Sequence, residues 1–410
     1  MTLELQTRPL ASLHLPATSR VARSLAELAC ARAGVTLRYP DGRLAGDTSP
    51  GRPTLQINDA RAVYRRLARH PKIGLGEAYT AGEWDEAEGH DLAHVFAPFA
   101  RTLATALPRP VLALRRLVDR AIPDEHRNTR HGARANIEAH YDLSNDLFAA
   151  FLDPSLSYSS ALFDPERPFA EQDLEAAQHR KIDRILDAAE VGDGCRLLEI
   201  GSGWGELAIR AAQRGADVTS ITLSAQQQRL ATERIARAGL QHRARVELLD
   251  YRDVTREFDA VVSVEMIEAV GEDYWVDYFT AIDRALAPGG ALVIQSILMD
   301  HRRLQATRRS YGWIQKHIFP GGLIPSTTAL QEAAREGSTL ELVDVFPFGA
   351  HYGETLLRWR TRFDERWPHI STLGFDEAFR RTWRFYLAYC QAGFDTGYLD
   401  VAHLTLRRPR

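Results

Sequence analysis

Apolar residues recur along this chain in two rhythms. The run Arg196-Leu197-Leu198-Glu199-Ile200 ends in three alternate glycines, Gly201, Gly203 and Gly205, and a 3.6-residue repeat begins at once over 206–214. A short apolar run closed by glycine predicts a buried parallel strand, and the repeat behind it predicts a crossover helix. Further apolar runs at 217–223, 245–250, 258–265 and 291–298 are mostly separated by helical segments, 226–236 among them. That alternation predicts a doubly wound parallel sheet. Runs at 340–345 and 401–406 predict a late hairpin at one edge, with helices over 355–366 and 376–391 between them. A charged helix is expected over 169–189. The aromatic-rich stretch 311–325, with Gly321-Gly322 and two prolines, reads as a lid or substrate loop.

Towards the N-terminus the pattern is shorter in range. Residues 1–20 are polar and irregular, and weak order is expected there. A helix over 21–33, strands over 35–39 and 54–57 and a helix over 60–69 predict a small α+β domain spanning 21–95. Tyr79 and Trp84, flanked by turn residues in 74–85, read as a packed corner. In 96–135 apolar residues are interleaved with Arg101, Arg109, Arg115, Arg116, Arg120, Arg127, Arg130 and Arg134. A basic amphipathic stretch of this kind lies on an anionic membrane surface or forms a solvated linker between domains. RNA binding is a third use of the same arginines. A second, larger domain then runs over 136–410.

Composition narrows the classes. The 410 residues carry a net charge of −3, which argues against a dedicated nucleic-acid binder. Three scattered cysteines, Cys30, Cys195 and Cys390, make neither a disulfide framework nor a zinc site, and a reducing cytoplasm fits them. No Cys-x-x-Cys, His-Glu-x-x-His or Gly-x-Ser-x-Gly motif occurs, so no metal site is predicted. The chain has no apolar run of the length of a spanning helix, which places any membrane contact at the periphery.

The glycine turn selects among nucleotide-like ligands. A dinucleotide fold needs Gly-x-Gly-x-x-Gly and an acid roughly 20 residues further on. Here the third glycine comes one residue early, the second strand ends in Thr222-Leu223-Ser224 without a carboxylate, and the acid, Glu199, precedes the glycines. Acid-x-Gly-x-Gly-x-Gly is the pattern of S-adenosylmethionine (SAM) methyltransferases. Ligands of open α/β sheets bind beyond the carboxyl ends of the strands. Those ends carry Gly201 to Gly205, Thr222 to Ser224 with Gln227, Asp250-Tyr251-Arg252, Glu265 to Glu268 and Gln295 to Ile297. Ser224 and Asp250 are equally readable as caps of the turns that follow them.

Taken together, several segments resemble the cyclopropane-fatty-acyl-phospholipid synthase family, which shares its catalytic domain with mycolic acid methyltransferases. They are 137–148, with His140-Tyr141-Asp142, Tyr158-Ser159, 198–205, 222–227, 250–253, Val264 to Gly271, Ile318 to Gly322 and 349–352. The resemblance implies a class I SAM-methyltransferase sheet with a smaller N-terminal α+β domain. It places Tyr158, Ser159, Gly201, Gly203, Thr222, Leu223, Ser224, Gln227, Tyr251 and Arg252 at the cofactor, to which the reading of the strand ends adds Glu199 and Asp250. It also implies a bicarbonate ion acting as base in a pocket of Cys, Glu, His, an Ile backbone and Tyr. The matching positions are Ser160, Glu268, Gln295, Ile297 and Tyr352, so the Cys and His are replaced, and binding of the anion is left open. Ala269 stands where many members have a second His.

The activity so implied is transfer of a methyl-derived carbon onto a cis double bond of an unsaturated phospholipid acyl chain. It proceeds through a carbocation and gives a cyclopropane. Aromatics at 274, 275, 278, 279, 311, 313 and 319 are candidates to stabilise that cation. A hydride shift before proton loss gives instead a methylene-branched chain, the precursor of a mid-chain methyl acid; removal of a Cys and a His lets that alternative compete, while Glu268 and Tyr352 keep the ring first. A small-molecule C-methyltransferase and a non-catalytic SAM-binding module are the other readings. The expected partners are phospholipid acyl chains at the inner face of the membrane, with no nucleic acid and with a homodimer left open.

Overall fold

The structure, a computed structural model, describes residues 17–102 and 144–410. Residues 103–135 of the basic segment and 137–143 of the His140 motif lie outside the described residues. The chain divides between Val118 and Asp119 into two compact units.

In the first unit helix α1 (Ala17–Ala33) precedes strands β1 (Thr36–Arg38), β2 (Leu44–Gly46) and β3 (Thr54–Ile57). Helices α2 (Ala60–Arg69) and α3 (Pro71–Thr80), strand β4 (Trp84–Glu86) and helix α4 (Leu92–Thr102) follow. The sheet order is β2-β1-β3-β4, with β1 and β3 parallel. Asp59 caps α2 by accepting from the Ala62 N–H, and Pro71 opens α3, where a missing N–H costs nothing. The corner at 74–85 is packed: the Tyr79 and Trp84 rings are buried 4.9 Å apart, and the Trp84 indole donates to the Leu75 carbonyl. Strands β2 and β4 were not foreseen, because three residues are too few for an alternation to register.

The second unit opens with α5 (Asn145–Phe151) and α6 (Leu174–Ala188). Next come β5 (Arg196–Ile200), α7 (Glu206–Gln213), β6 (Asp217–Thr222), α8 (Ala225–Arg237), β7 (Ala244–Leu248) and β8 (Phe258–Val264). Helix α9 (Trp275–Ala285) leads into β9 (Leu286–Met299), followed by α10 (His301–Thr307), α11 (Trp313–His317) and α12 (Thr327–Gly337). Strand β10 (Glu341–Pro347), helices α13 (Gly349–Ile370) and α14 (Glu377–Asp395) and strand β11 (Leu399–Arg407) complete it.

These strands form one seven-stranded sheet of order β10-β11-β9-β8-β5-β6-β7. The run from β7 to β9 is parallel, and β11 lies antiparallel to both of its neighbours. The late hairpin is therefore not wholly at the edge. Only β10 is outermost, whereas β11 is inserted beside β9 and is buried from Val401 to Leu406. Its alternation of Val401, His403 and Thr405 with Ala402, Leu404 and Leu406 resembles a half-exposed strand. The polar members are nonetheless buried, because the sheet is covered on both faces. Trp275, Tyr278 and Phe279 of α9 cover one face over Leu292 and Ile294. Ile182 and Leu186 of α6, Leu207 of α7, Val218 and Val262 fill the other.

Candidate active site

Strand β5 delivers the chain to the glycine turn, where Gly201, Gly203 and Gly205 have φ of +93°, +48° and +91°. The glycines do different work. A Cβ on Gly205 would stand 3.0 Å from the Ala231 Cβ and 3.2 Å from its Cα, so this glycine lets α7 settle against α8. A Cβ on Gly203 would meet no atom of the described residues within 4 Å. Gly203 instead borders an open cavity.

That cavity lies at the carboxyl ends of β5, β6, β7 and β8. Every residue placed at the cofactor from the sequence lines it except Ser224. Ser224 lies fully buried behind it and accepts from the Gln227 N–H as the N-cap of α8. Thr222 donates its hydroxyl to the Gln227 side chain at 2.8 Å, fixing that amide at the cavity wall. Asp250 caps the turn after β7 and holds Arg252 through two bonds of 2.8 and 2.5 Å, so both alternatives for Asp250 meet in one residue. The Glu199 carboxyl is buried, accepts from the Ser220 hydroxyl at 2.6 Å and is pushed up to about 8 by burial.

Lys181 also lines the cavity, unforeseen. Its ammonium is buried, donates to the Ser159 hydroxyl at 2.6 Å and is pulled down to about 8 by burial, against the attraction of Glu265, Asp153 and Glu199. Gln178, one turn earlier on α6, donates to the Ser157 and Ser159 carbonyls. These two side chains, three residues apart among buried Ala177, Ile182 and Ile185, hold the loop that carries Tyr158 to Ser160. The helix is charged throughout, so no sequence signal separated Lys181 from its solvated neighbours.

A second cluster lies at the end of β8 and beside the adjoining residues of β9. The Glu265 Oε1 accepts from the Ser160 N–H at 2.9 Å and from Gln295 Nε2 at 2.7 Å, and its Oε2 accepts from the Tyr352 hydroxyl at 2.6 Å. Glu265 itself has φ +48°, a conformation that a non-glycine residue adopts at a cost. The Glu268 Oε1 accepts from the Ile297 N–H at 2.5 Å and the Ser296 hydroxyl at 3.0 Å, while its buried Oε2 has no hydrogen-bond partner among the described residues. Of the five residues placed in the reaction site from the sequence, Ser160, Gln295 and Tyr352 thus meet on Glu265, and Ile297 meets Glu268. Glu265 was visible in the sequence only as one polar residue among several at a strand end.

His403 was not foreseen at all. It stands opposite Gln295 in the β9–β11 register and places its Nε2 3.0 Å from the Gln295 Oε1. Its Nδ1 faces Arg184 at 3.4 Å. Burial, with Arg184 and Lys181 nearby, drives its pKa well below the ordinary value and keeps the ring neutral. A guanidinium can only donate, so Nδ1 accepts and the Nε2–H donates to Gln295. That fixes the Gln295 amide with its NH2 towards Glu265.

The aromatic candidates divide. Trp275, Tyr278 and Phe279 belong to the core beneath the sheet, with Tyr274 packed against them, and leave the list of cation-stabilising groups. Phe319 remains, its ring 5.7 Å from that of Tyr386, whose hydroxyl lies 2.8 Å from the hydroxyl of cavity-lining Tyr158. Tyr352 stacks on Phe394 at 4.4 Å. Trp313 packs at 4.5 Å on Phe385 of α14, and Tyr311 is buried. Among the described residues no group of three His, Cys, Asp or Glu side chains is placed to hold a metal.

This arrangement of sheet, glycine turn and buried carboxyls has relatives. A model of the family described as mycolic acid cyclopropane synthetase matches residues 128–404. The chain belongs to that family of SAM-dependent methyltransferases. It is 47% identical to tuberculostearic acid methyltransferase UfaA1 of Mycobacterium tuberculosis, with 100% of this chain and 99% of the relative covered. It is 34% identical to the cyclopropane-fatty-acyl-phospholipid synthase of Escherichia coli over 81% of this chain and 82% of that enzyme. Among solved structures, the cyclopropane synthase MmaA2 from Mycobacterium tuberculosis superposes with a TM-score of 0.61 at 30% identity, covering 67% of this chain and 98% of its own. The mycolic acid cyclopropane synthase CmaA1, solved with S-adenosylhomocysteine (SAH) and CTAB, gives the same TM-score at 29% identity, over 67% of this chain and 98% of its own.

Proposed function

We propose that this chain methylates a cis double bond in an acyl chain of membrane phospholipid and releases a methylene-branched chain, the precursor of a mid-chain methyl fatty acid. The observation that carries the reading is similarity along the whole chain to an enzyme named for tuberculostearic acid, a methyl-branched acid. Identity to that enzyme is 47%, against 34% over about four fifths of the chain for the cyclopropane synthase. The cyclopropane, which the family resemblance put first, becomes the second reading.

The cavity residues fit SAM. Glu199 and Gln227 offer polar atoms at its wall, and Gly203 leaves open the space a side chain would fill. Bound there, SAM supplies an electrophilic methyl strong enough for an alkene, leaving a cation on the acyl chain. The protein then has to keep water from the cation and face it with electron-rich rings, for which Tyr158, Tyr386 and Phe319 form a connected set. Migration of a hydride from the methylated carbon to its cationic neighbour, followed by loss of a proton from the new methyl, forms the methylene branch. Loss of the proton without migration closes the ring. Both routes release one proton, so a base is needed in either.

No described helix is long and apolar enough to cross a membrane, and we place the acyl chain's entry at a membrane surface, on the cytoplasmic face, with the basic segment 96–135 as docking element. Expression in a host rich in oleoyl lipids tests the product. The two products have the same mass, so proton NMR of the isolated methyl esters decides. Signals of a C=CH2 group are expected, or a saturated methyl branch where the host reduces it. Cyclopropyl protons alone would return the ring to first place.

A further inference from the structure

The positions that match the family's anion pocket do not fit an anion in this chain. A small oxyanion bound there would need free donors, and the donors are already engaged by the protein's own carboxylate. The Ser160 N–H and the Gln295 amide converge on one oxygen of Glu265, and the Tyr352 hydroxyl on the other. The Ile297 N–H is engaged by Glu268. A bound bicarbonate would face the Glu265 carboxylate that already takes these donors, and no spare N–H among these residues. Its charge would be repelled rather than satisfied.

We propose that Glu265 replaces the anion in this protein, its carboxylate being the tethered base that accepts the proton lost from the transferred methyl. The inference rests on the reading that the reaction passes through an acyl-chain cation. In the step, the electron pair of a methyl C–H bond becomes the new C=C bond of the branch, or the closing C–C bond of a ring where no hydride has moved, and the proton passes to a Glu265 oxygen; nothing is oxidised or reduced. Glu265, unlike Glu268, is among the residues that line the cavity with Gly201, Gly203 and Tyr158.

The surroundings divide the two acids. Burial raises both, but three hydrogen bonds and nearby Lys181 hold Glu265 towards its charged form. Glu268, with an unpartnered oxygen, is pushed up to about 8 by burial and by the charge of Glu265. One acid is thereby equipped to accept a proton and the other to keep one. Glu265 presents this carboxylate from a strained backbone, φ +48°, a conformation that glycine adopts more readily.

The test is anion dependence of turnover, read as SAH release by the full chain on oleoyl-phospholipid vesicles, with product structure read separately by NMR. In carbonate-free buffer the wild type is expected to run at the same rate as with added bicarbonate. Glu265→Gly, which relieves the φ strain and opens the pocket, should lose roughly 100-fold or more, the usual contribution of a positioned base. It should regain part of that with formate or bicarbonate while binding SAH normally. A wild-type rate that collapses without bicarbonate and returns with it overturns the proposal, and this arm needs no variant to fold. Wild-type turnover in Glu265→Gln overturns it as well. A ring product made at a bicarbonate-independent, Glu265-dependent rate would overturn the branched-chain reading and leave this one standing.

Discussion

The two halves of the site are built on different principles. The cofactor half is made of consecutive residues at strand ends, where backbone conformation and small side chains shape a cavity: Gly201 to Gly205, Thr222 to Gln227, and Asp250 to Arg252. The reaction half is made of single side chains from distant places. Ser160 precedes the sheet, Glu265 follows the end of β8, Gln295 lies within the neighbouring β9, Tyr352 opens α13, and His403 sits on the last strand. A motif can carry the first half almost whole. The second exists only once β8, β9 and β11 lie side by side. Damage to the first half should therefore appear in binding, and damage to the second in turnover.

The sharpest break is at Gly203. Gly203→Val directs a branched side chain into the cavity at a φ that valine resists, and calorimetry should find SAH binding lost, by more than about 100-fold, in a protein with a normal circular dichroism spectrum. Gly205→Ala should do the reverse: its Cβ presses on Ala231, so stability falls by about 1–3 kcal/mol while the folded fraction still binds SAH. Loss of binding through Gly205 rather than Gly203 would reverse the division of the turn.

Within the reaction half, Tyr352→Phe removes one donor from a buried carboxylate. A hydrogen bond to a charged group is worth about 1.5–3 kcal/mol, so kcat should fall roughly 10- to 100-fold with SAH affinity unchanged. Steady-state kinetics beside calorimetry would separate the two. His403 is a positioning residue, acting through Gln295. His403→Leu should lower kcat several-fold, in keeping with about 1 kcal/mol for a neutral hydrogen bond, and leave the KM for SAM alone. His403→Gln, which can put an N–H where Nε2 stands, should restore it. Equal losses in both variants would reduce His403 to packing.

The smallest effect is a pH dependence of folding. Glu199 and Glu268 are raised from an ordinary value near 4.5 to about 8, so between those values the folded chain binds more protons than the unfolded one. Their contribution to stability must then fall as pH rises from 4.5 to 8. Lys181 is lowered from 10.5 to about 8, so the folded chain binds fewer protons there and its contribution rises from 8 to 10.5. Urea melts of the wild type and Glu199→Gln across this range should differ most near pH 8, the variant being the less pH-sensitive below it. Parallel curves would mean that Glu199 shares its charge freely with Lys181.

Much of this protein could be read from its residues in order. The apolar runs placed the seven strands of the large sheet, and Glu199 with three alternate glycines distinguished a SAM fold from a dinucleotide fold, because strand burial and glycine turns are local properties with local signatures. The loss of a Cys and a His at Ser160 and Gln295 was legible too, as an absence. What replaced them was not. That Glu265 turns back onto Ser160, Gln295 and Tyr352 depends on a strained φ and on β8 lying beside β9. That His403 orients the Gln295 amide depends on β11 being inserted next to β9 rather than left at the edge. The aromatic helix α9 likewise looked like substrate-site material until the sheet buried it. Periodicity along a chain states which face of an element is buried. Which buried groups meet is set by strand order and register, and those are decided by packing across the whole unit.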